Sequence, residues 1–337
     1  MKKFFFILAL TFFILFMVNI AWIVVNLYSW AKDGIESIVQ GQNLLENIYL
    51  SKYIKWILWA DGLWIIFALI FMLRRKHYKT NLLLHYLQYS KISNPSTCVV
   101  IPTYNEELSI EKVIKDFQNQ QFVKSIIIID NNSNDQTPDI AEKCGVIVIR
   151  KNINKGYAHS FVLGLKESLK TEANVIATTE SDGTYNAYDL EKMIPYLDNC
   201  DMVVGTRQNQ VITEKGNQNS LLHVWGNFLL AKLIQIKYFS LLHMGIVNLT
   251  DVGCVYRVMK REALEKIVDH LTYPNTDEAV GGIAVGLYLT MLGIENDLRI
   301  IEVPVTFNKR IGISKLEPKK SHAIKIGLKF LWLILRI

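Results

Sequence analysis

Four cysteines in 337 residues exclude more than they permit. Cys98, Cys144, Cys200 and Cys254 lie far apart, and no two have C-x-x-C spacing. Neither a zinc cluster nor a redox-active dithiol is indicated. They read as reduced thiols of a cytosolic domain, with Cys98 and Cys254 in its core. No G-x-G-x-x-G follows an expected strand, and Gly281-Gly282 falls in an expected helix. That removes a doubly wound dehydrogenase. Internal repeats and low-complexity linkers are missing too. Charge of one sign is scarce: 37 Lys and Arg against 31 Asp and Glu leave +6. The basic residues cluster beside apolar segments, so the expected partner is a membrane surface and not nucleic acid.

What the chain has in excess is apolar: half its residues are hydrophobic, and the excess is greatest near the N-terminus. Phe4–Val25 is 22 residues long, with Thr11 and Asn19 its clear polar interruptions. That length spans a bilayer core. It is too long for the apolar region of a signal peptide, and no small-residue cleavage site follows. Trp56–Leu73 reads as a second span, with Asp61 near its start and Trp56, Trp59 and Trp64 at an interface end. Lys2 and Lys3 precede the first span and Arg74-Arg75-Lys76 follows the second. The positive-inside rule puts both ends of this hairpin, residues 1–80, in the cytoplasm. The protein is therefore expected to be an integral membrane protein with a cytoplasmic catalytic domain. Residues 81–96 read as a juxtamembrane helix and a linker broken at Asn94-Pro95.

From Thr97 the pattern changes to strands alternating with helices. Strands are expected at Thr97–Ile101, Ser125–Ile129, Val146–Ile149, Val175–Thr179, Met202–Gly205, Val252–Val258 and Arg299–Val303. Helices are expected at Glu107–Gln120, Gln136–Lys143, Tyr157–Leu169, Ala187–Leu197, Arg261–Val268 and Asp277–Leu292. Continuous β-branched runs between helices imply an α/β, Rossmann-like fold, its mainly parallel sheet covered by helices on both faces. Leu221–Val247 is apolar but carries His223, Lys232, Lys237 and His243, and fits a helix lying on a membrane better than a third span. Ala323–Ile337 sets Lys325, Lys329 and Arg336 on one face of an apolar helix. Residues 317–337 thus read as an amphipathic membrane-interface helix.

Four expected strands end in polar residues: Pro102-Thr103-Tyr104-Asn105-Glu106, Asp130-Asn131-Asn132-Ser133, Asn154-Lys155-Gly156-Tyr157 and Glu180-Ser181-Asp182-Gly183. Open α/β sheets bind ligands beyond the C-terminal ends of their strands. Carboxylates there can hydrogen-bond a base and ribose. Asp and Glu oxygens at i, i+2 suit Mg2+ or Mn2+ carrying a phosphorylated substrate. Any one such end is equally a turn or a helix cap, and Asp135 reads as an N-cap. Four in succession are hard to attribute to capping.

These segments resemble glycosyltransferase family 2, and within it the polyprenyl-phosphate sugar synthases such as dolichyl-phosphate mannose synthase. The resemblance rests on VVIPTYNEE, IIIIDNNSNDQT, NKGYAHSFVLGL, ESDGTY, TDVGCVYR, EVPV and RIGISKL, across roughly residues 97–316. It implies a GT-A fold and an inverting transfer from a UDP- or GDP-sugar to a polyprenyl phosphate. Pro102, Tyr104, Glu106 and Asp130 would line the nucleotide pocket, with Lys155 and Ser181 on the same nucleotide-sugar side. Asp182 would hold the metal with Glu180 beside it. Arg257, Arg310, Ser314 and Lys315 would gather the acceptor phosphate, and Asp182, Arg257, Arg310 and Lys315 would be the catalytic set. Three positions depart from the family pattern: Glu180 and Asn131 stand where many members have Asp, and Val255 where Gly is usual.

A processive polysaccharide synthase shares the family, but this chain lacks Q-x-x-R-W and the spans that follow the catalytic domain. A scaffold without activity would not need Glu106, Asp130 and Asp182. A membrane-bound transferase acting on a hydroxyl of a lipid-linked glycan stays open, with Asp277 or Glu278 of Thr276-Asp277-Glu278 as base. Pairing of the hairpin with a second copy, giving a homo-oligomer, is also open.

Overall fold

Runs of β-branched residues set the centre of the molecule. β1 (Thr97–Thr103) is buried at every position, and β2 (Val123–Asp130) from Ile126 onward. A strand that is apolar on both faces needs cover on both, which parallel pairing with helical crossovers supplies. The computed structural model describes residues 90–214, 221–238, 248–312 and 320–337, with scattered helical positions between Ile7 and Leu73. Two compact units are distinguished, Met1–Lys76 with Leu335–Ile337, and His77–Ile334. The sheet belongs to the second.

That sheet has seven strands in the order β3-β2-β1-β4-β6-β5-β7. β3 is Ile147–Arg150, β4 Val175–Thr178, β5 Met202–Thr206, β6 Arg257–Lys260 and β7 Ile300–Pro304. The crossovers between β1 and β4 are α1 (Ile110–Gln118), α2 (Thr137–Lys143) and α3 (Tyr157–Ser168). The chain steps outward from β1 to β2 to β3, then returns to lay β4 on the other side of β1. This reversal is a topological switch point, where a crevice opens beyond the strand ends. Val99, Ile101, Ile114, Phe117, Ile128 and Tyr256 form part of the core on one face. On the other, α3 presses Gly164 onto β1: a Cβ there would lie 2.3 Å from Val100 Cγ1.

The sheet is mainly parallel as expected, with one exception. β6 runs antiparallel to both neighbours, pairing Arg257 with Thr178 of β4 and with Val204 of β5. It is also shorter than the expected Val252–Val258. The Asp251 carboxylate accepts from the Gly253 N–H at 3.0 Å and holds that stretch in a turn. The expected Ala187–Leu197 helix divides into α4 (Asp189–Met193) and a 3-10 segment, Ile194–Asp198. Pro195 has no N–H to continue the α-helical ladder. The helix expected from Asp277 begins later, as α7 (Val285–Glu295) after a short 3-10 turn. Gly281 and Gly282, expected on its small face, have φ of 92° and 53° and form the turn before it. α6 is Arg261–Ile267.

α5 (Leu221–Tyr238) carries exposed Trp225, Phe228 and Leu229, and residues 239–247 lie outside the described residues. α8 (Lys320–Arg336) buries Phe330, Leu333 and Ile334 and exposes Ile324, Leu328 and Trp332 beside Lys325 and Lys329. The Lys237 ammonium donates to Ile334 O at 2.6 Å and ties α5 to α8. The expected spans at 4–25 and 56–73 and the juxtamembrane helix at 82–89 fall largely outside the described residues. Among the described residues no helix is long and apolar enough to cross a membrane.

Candidate active site at the switch point

Each polar strand end is fixed by hydrogen bonds to its neighbour. After β1, Asn105 adopts φ 52° and Glu106 is 9% exposed. The Glu106 N–H donates to Thr137 Oγ1 at 2.7 Å, and Asn105 exchanges bonds with Ser133 and Asn134 of the β2 loop. Asp130 is buried and accepts from the Ser133 N–H at both carboxylate oxygens. The N-cap of α2 is Gln136 and not Asp135 as expected; Asp135 stands one position earlier and accepts from the Thr137 N–H at 3.0 Å. Pro102 and Ser181 come together across the switch point, Ser181 Oγ donating to Pro102 O at 3.3 Å. Tyr104, two residues after Pro102, is half-buried.

The β3 end forms a second polar patch. Lys151 donates to Asn131 Oδ1 at 2.6 Å, and Asn131 Nδ2 donates to Asn154 Oδ1 at 2.7 Å. Burial, then the charge of Lys155, pushes the Lys151 amine down to about 8. Lys155 is paired with Asp277 at 2.5 Å, and His159 Nε2 approaches the same carboxylate at 3.5 Å. The hydrogen bond from Lys155 holds the Asp277 carboxyl below the usual carboxylate range.

The fourth strand end carries most of the charge. Asp182 is 5% exposed. Its Oδ1 accepts from Thr184 N at 3.1 Å and Thr184 Oγ1 at 2.6 Å, while its Oδ2 accepts from Arg310 Nη1 at 2.8 Å. Arg310 Nη2 donates to Glu106 Oε1, so one guanidinium bridges the ends of β1 and β4. Gly183 turns the chain at φ 77°, close enough to Ile311 that a Cβ would fall 2.8 Å from its Cδ1. Burial, then the neighbouring Asp182, pushes the Glu180 carboxyl up to about 8.

Behind these acids lies Arg257, 1% exposed. Its Nε donates to Thr290 Oγ1 at 3.3 Å, while Nη1 has no partner among the described residues. Gly286 makes the room, since a Cβ there would lie 2.7 Å from Nη1. The Tyr157 hydroxyl, also buried, has no partner either. Arg257 starts its strand where the other site residues end theirs, because β6 runs in reverse.

The structure thus brings Pro102, Glu106, Ser181, Asp182 and Arg310 together, with Glu180 and Arg257 adjoining. Asp130 and Lys155 stand along the β2 and β3 side. Ser314 and Lys315 lie outside the described residues. Sequence reasoning missed Arg207, just after β5. Its guanidinium makes a bidentate pair with buried Asp251 at 2.7 and 2.9 Å and lies 5.0 Å from the Phe307 ring centroid. Its charge reaches Glu180 and opposes the rise of that carboxyl. Its place just after the fifth strand is a sequence signal, but its pairing with Asp251, 44 positions away, is not.

Among the described residues no three or more His, Cys, Asp or Glu group to hold a metal. Mg2+ needs fewer, since it keeps waters and takes one or two carboxylates plus substrate phosphates. The donors at hand, Asp182 and Glu180, are hard oxygens. A guanidinium already stabilises Asp182 Oδ2, and burial, with the nearby Asp182 charge, raises the Glu180 carboxyl, so a further cation would be favoured there. These residues fit a divalent ion.

A family model described as glycosyl transferase family 2 matches residues 98–268. Polyprenol monophosphomannose synthase of Mycolicibacterium smegmatis is 26% identical over 228 residues, covering 65% of this chain and 80% of that one. Dolichyl-phosphate hexose transferase of Haloferax volcanii is 29% identical over 221 residues, covering 65% and 86%. Among solved structures, glucosyl-3-phosphoglycerate synthase from Mycobacterium tuberculosis, in complex with Mn2+, UDP and phosphoglyceric acid, superposes with TM-score 0.52. The identity is 17%, over 72% of this chain and 79% of that one. At that identity the likeness is one of fold: a GT-A-like mixed α/β sheet.

Proposed function

From the chain's membership of glycosyl transferase family 2, and hence its being a glycosyltransferase, we propose that it moves a sugar from a nucleotide-diphosphate sugar to a polyprenyl phosphate. The transfer inverts the anomeric centre and takes place at the cytoplasmic face of a membrane. Relatives named as polyprenol and dolichyl-phosphate transferases support the acceptor class. The observation that carries the reading is Arg257, a buried cation with an unpartnered donor, on the strand paired with β4. Such a group is costly without an anion and suited to one.

The nucleotide end of the donor fits the Glu106 and Asp130 side, with Lys155 and Ser181 near. Asp182, with Glu180, would hold the divalent ion, which when bound offsets the charge developing on the leaving nucleoside diphosphate. A phosphate monoester has a second pKa of about 6 and is largely dianionic at neutral pH. Its oxygen bonds to the anomeric carbon as the bond to the diphosphate oxygen breaks, and that electron pair leaves with the nucleotide. No proton needs removing. Arg257 and Arg310, with Lys315 following in sequence, offset repulsion between the two phosphates. The rival hydroxyl acceptor needs a base, and the pairing of Asp277 with Lys155 depresses its basicity. Exposed apolar side chains of α5 and α8, set among lysines, suit an acceptor delivered from a lipid surface.

The test is a screen of UDP- and GDP-sugars with polyprenyl phosphate as acceptor. One donor should give a glycosylated lipid and a free nucleoside diphosphate, and Asp277→Asn should retain most activity. No product from any donor, together with loss of transfer to a glycan hydroxyl in Asp277→Asn, would move the assignment to the hydroxyl reading.

A further inference from the structure

The two carboxylates at the mouth of the crevice share one guanidinium. Arg310 is 22% exposed in its side chain, and its partners Glu106 and Asp182 are 9% and 7%. These bonds are therefore shielded from solvent. The backbone holds the arm as well. Asn308 N donates to Thr184 O at 2.7 Å, and Ile311 N donates to Asp182 O at 3.0 Å. Directly after them Gly312 takes φ 85°, a point where the chain can change direction at low cost. The Arg310 Nε is buried and has no partner among the described residues.

Asp182 has one oxygen committed and one contested. Oδ1 is held by Thr184, through both its N–H and its hydroxyl. Oδ2 is held by Arg310 alone among the hydrogen bonds described. A divalent ion taken by Asp182 would need that second oxygen.

We propose that Arg310 is an internal counter-ion occupying the cation position on Asp182, and that a divalent ion must displace it to bind. The proposal rests on the metal reading of Asp182 given above. Two cations cannot crowd one carboxylate oxygen without mutual repulsion. Ion binding and the Arg310 contact therefore oppose each other, each weakening the other by the same factor. The displaced guanidinium presents a fork of donors matched to a phosphate. Arrival of the ion thus frees the arginine for substrate, and the unloaded crevice stays shut by a contact of its own.

The test is Mn2+ binding to the nucleotide-free full-length chain, read from the paramagnetic resonance of the free ion, with melting temperatures on the same samples. Arg310→Gln should bind Mn2+ about ten- to a hundredfold more tightly than wild type, the range expected for one charge-assisted hydrogen bond. Arg310→Lys keeps the charge but cannot reach both acids as a fork, and should fall between them. Asp182→Asn should lose the site. Equal affinity in wild type, Arg310→Gln and Arg310→Lys overturns the proposal and leaves the metal reading intact. Wild-type Mn2+ binding by Asp182→Asn overturns the metal reading and the proposal with it.

Discussion

Asp182 and Arg257 are both buried charges, but they differ in what their loss exposes. Asp182→Asn is nearly isosteric and leaves Arg310 its bond to Glu106. The melting temperature should stay close to wild type while turnover disappears. Chelation should do the same to the unmodified protein, and full activity in excess EDTA would rule out the metal. Glu180→Gln should be milder. Arg257 is a buried cation with an unsatisfied donor, so an apolar residue of similar length relieves a cost. Arg257→Met should be neutral or stabilising by about 1 kcal/mol, yet lower transfer by about a hundredfold or more. Thermal melts and a transfer assay on one preparation decide this. A large loss of stability would reduce Arg257 to a structural role. Glu106, Asp130 and Asp182 were legible in the sequence because each ends a run of buried β-branched residues. Arg207 was not, because its meaning depends on Asp251, 44 positions away.

Packing of whole elements is most exposed to test where α3 lies on the sheet. Gly164 leaves no space for a methyl group against Val100 and Ile129. Gly164→Ala should destabilise the fold by about 2–3 kcal/mol, the cost of overpacking a rigid core. A melting curve measures it, and an unchanged midpoint would mean that α3 shifts freely on β1. The strands were legible because their apolar runs are short and bounded by turn residues. The direction of β6 was not, since side-chain periodicity is the same for a parallel and an antiparallel strand. The start of α7 was misread because the apolar pattern continues through Gly281 and Gly282, whose positive φ ends it.

For the molecule as a whole, the proposed membrane arrangement is tested with reporters. A reporter placed between residues 28 and 53 should read as external, and one after residue 80 as cytoplasmic. Both on one side would mean that residues 4–25 do not span. Reporters flanking residues 221–247 should show no crossing. The reversed strand β6 has a consequence for how such an enzyme can be altered. The stretch from Arg207 to Tyr256 leaves the sheet at the end of β5 and returns beside it. It is closed at its neck by Gly205 N to Tyr256 O at 2.9 Å, by the Thr206–Thr250 contact at 2.9 Å and by the Arg207–Asp251 pair. Its two ends meet, so the segment can be exchanged as one unit at that neck, while the bonds of Lys237 to Ile334 O and of Tyr238 to Glu295 set where it must still fit α8 and α7. Exchanged between relatives there, it would carry α5 with it and leave the nucleotide side of the crevice in place.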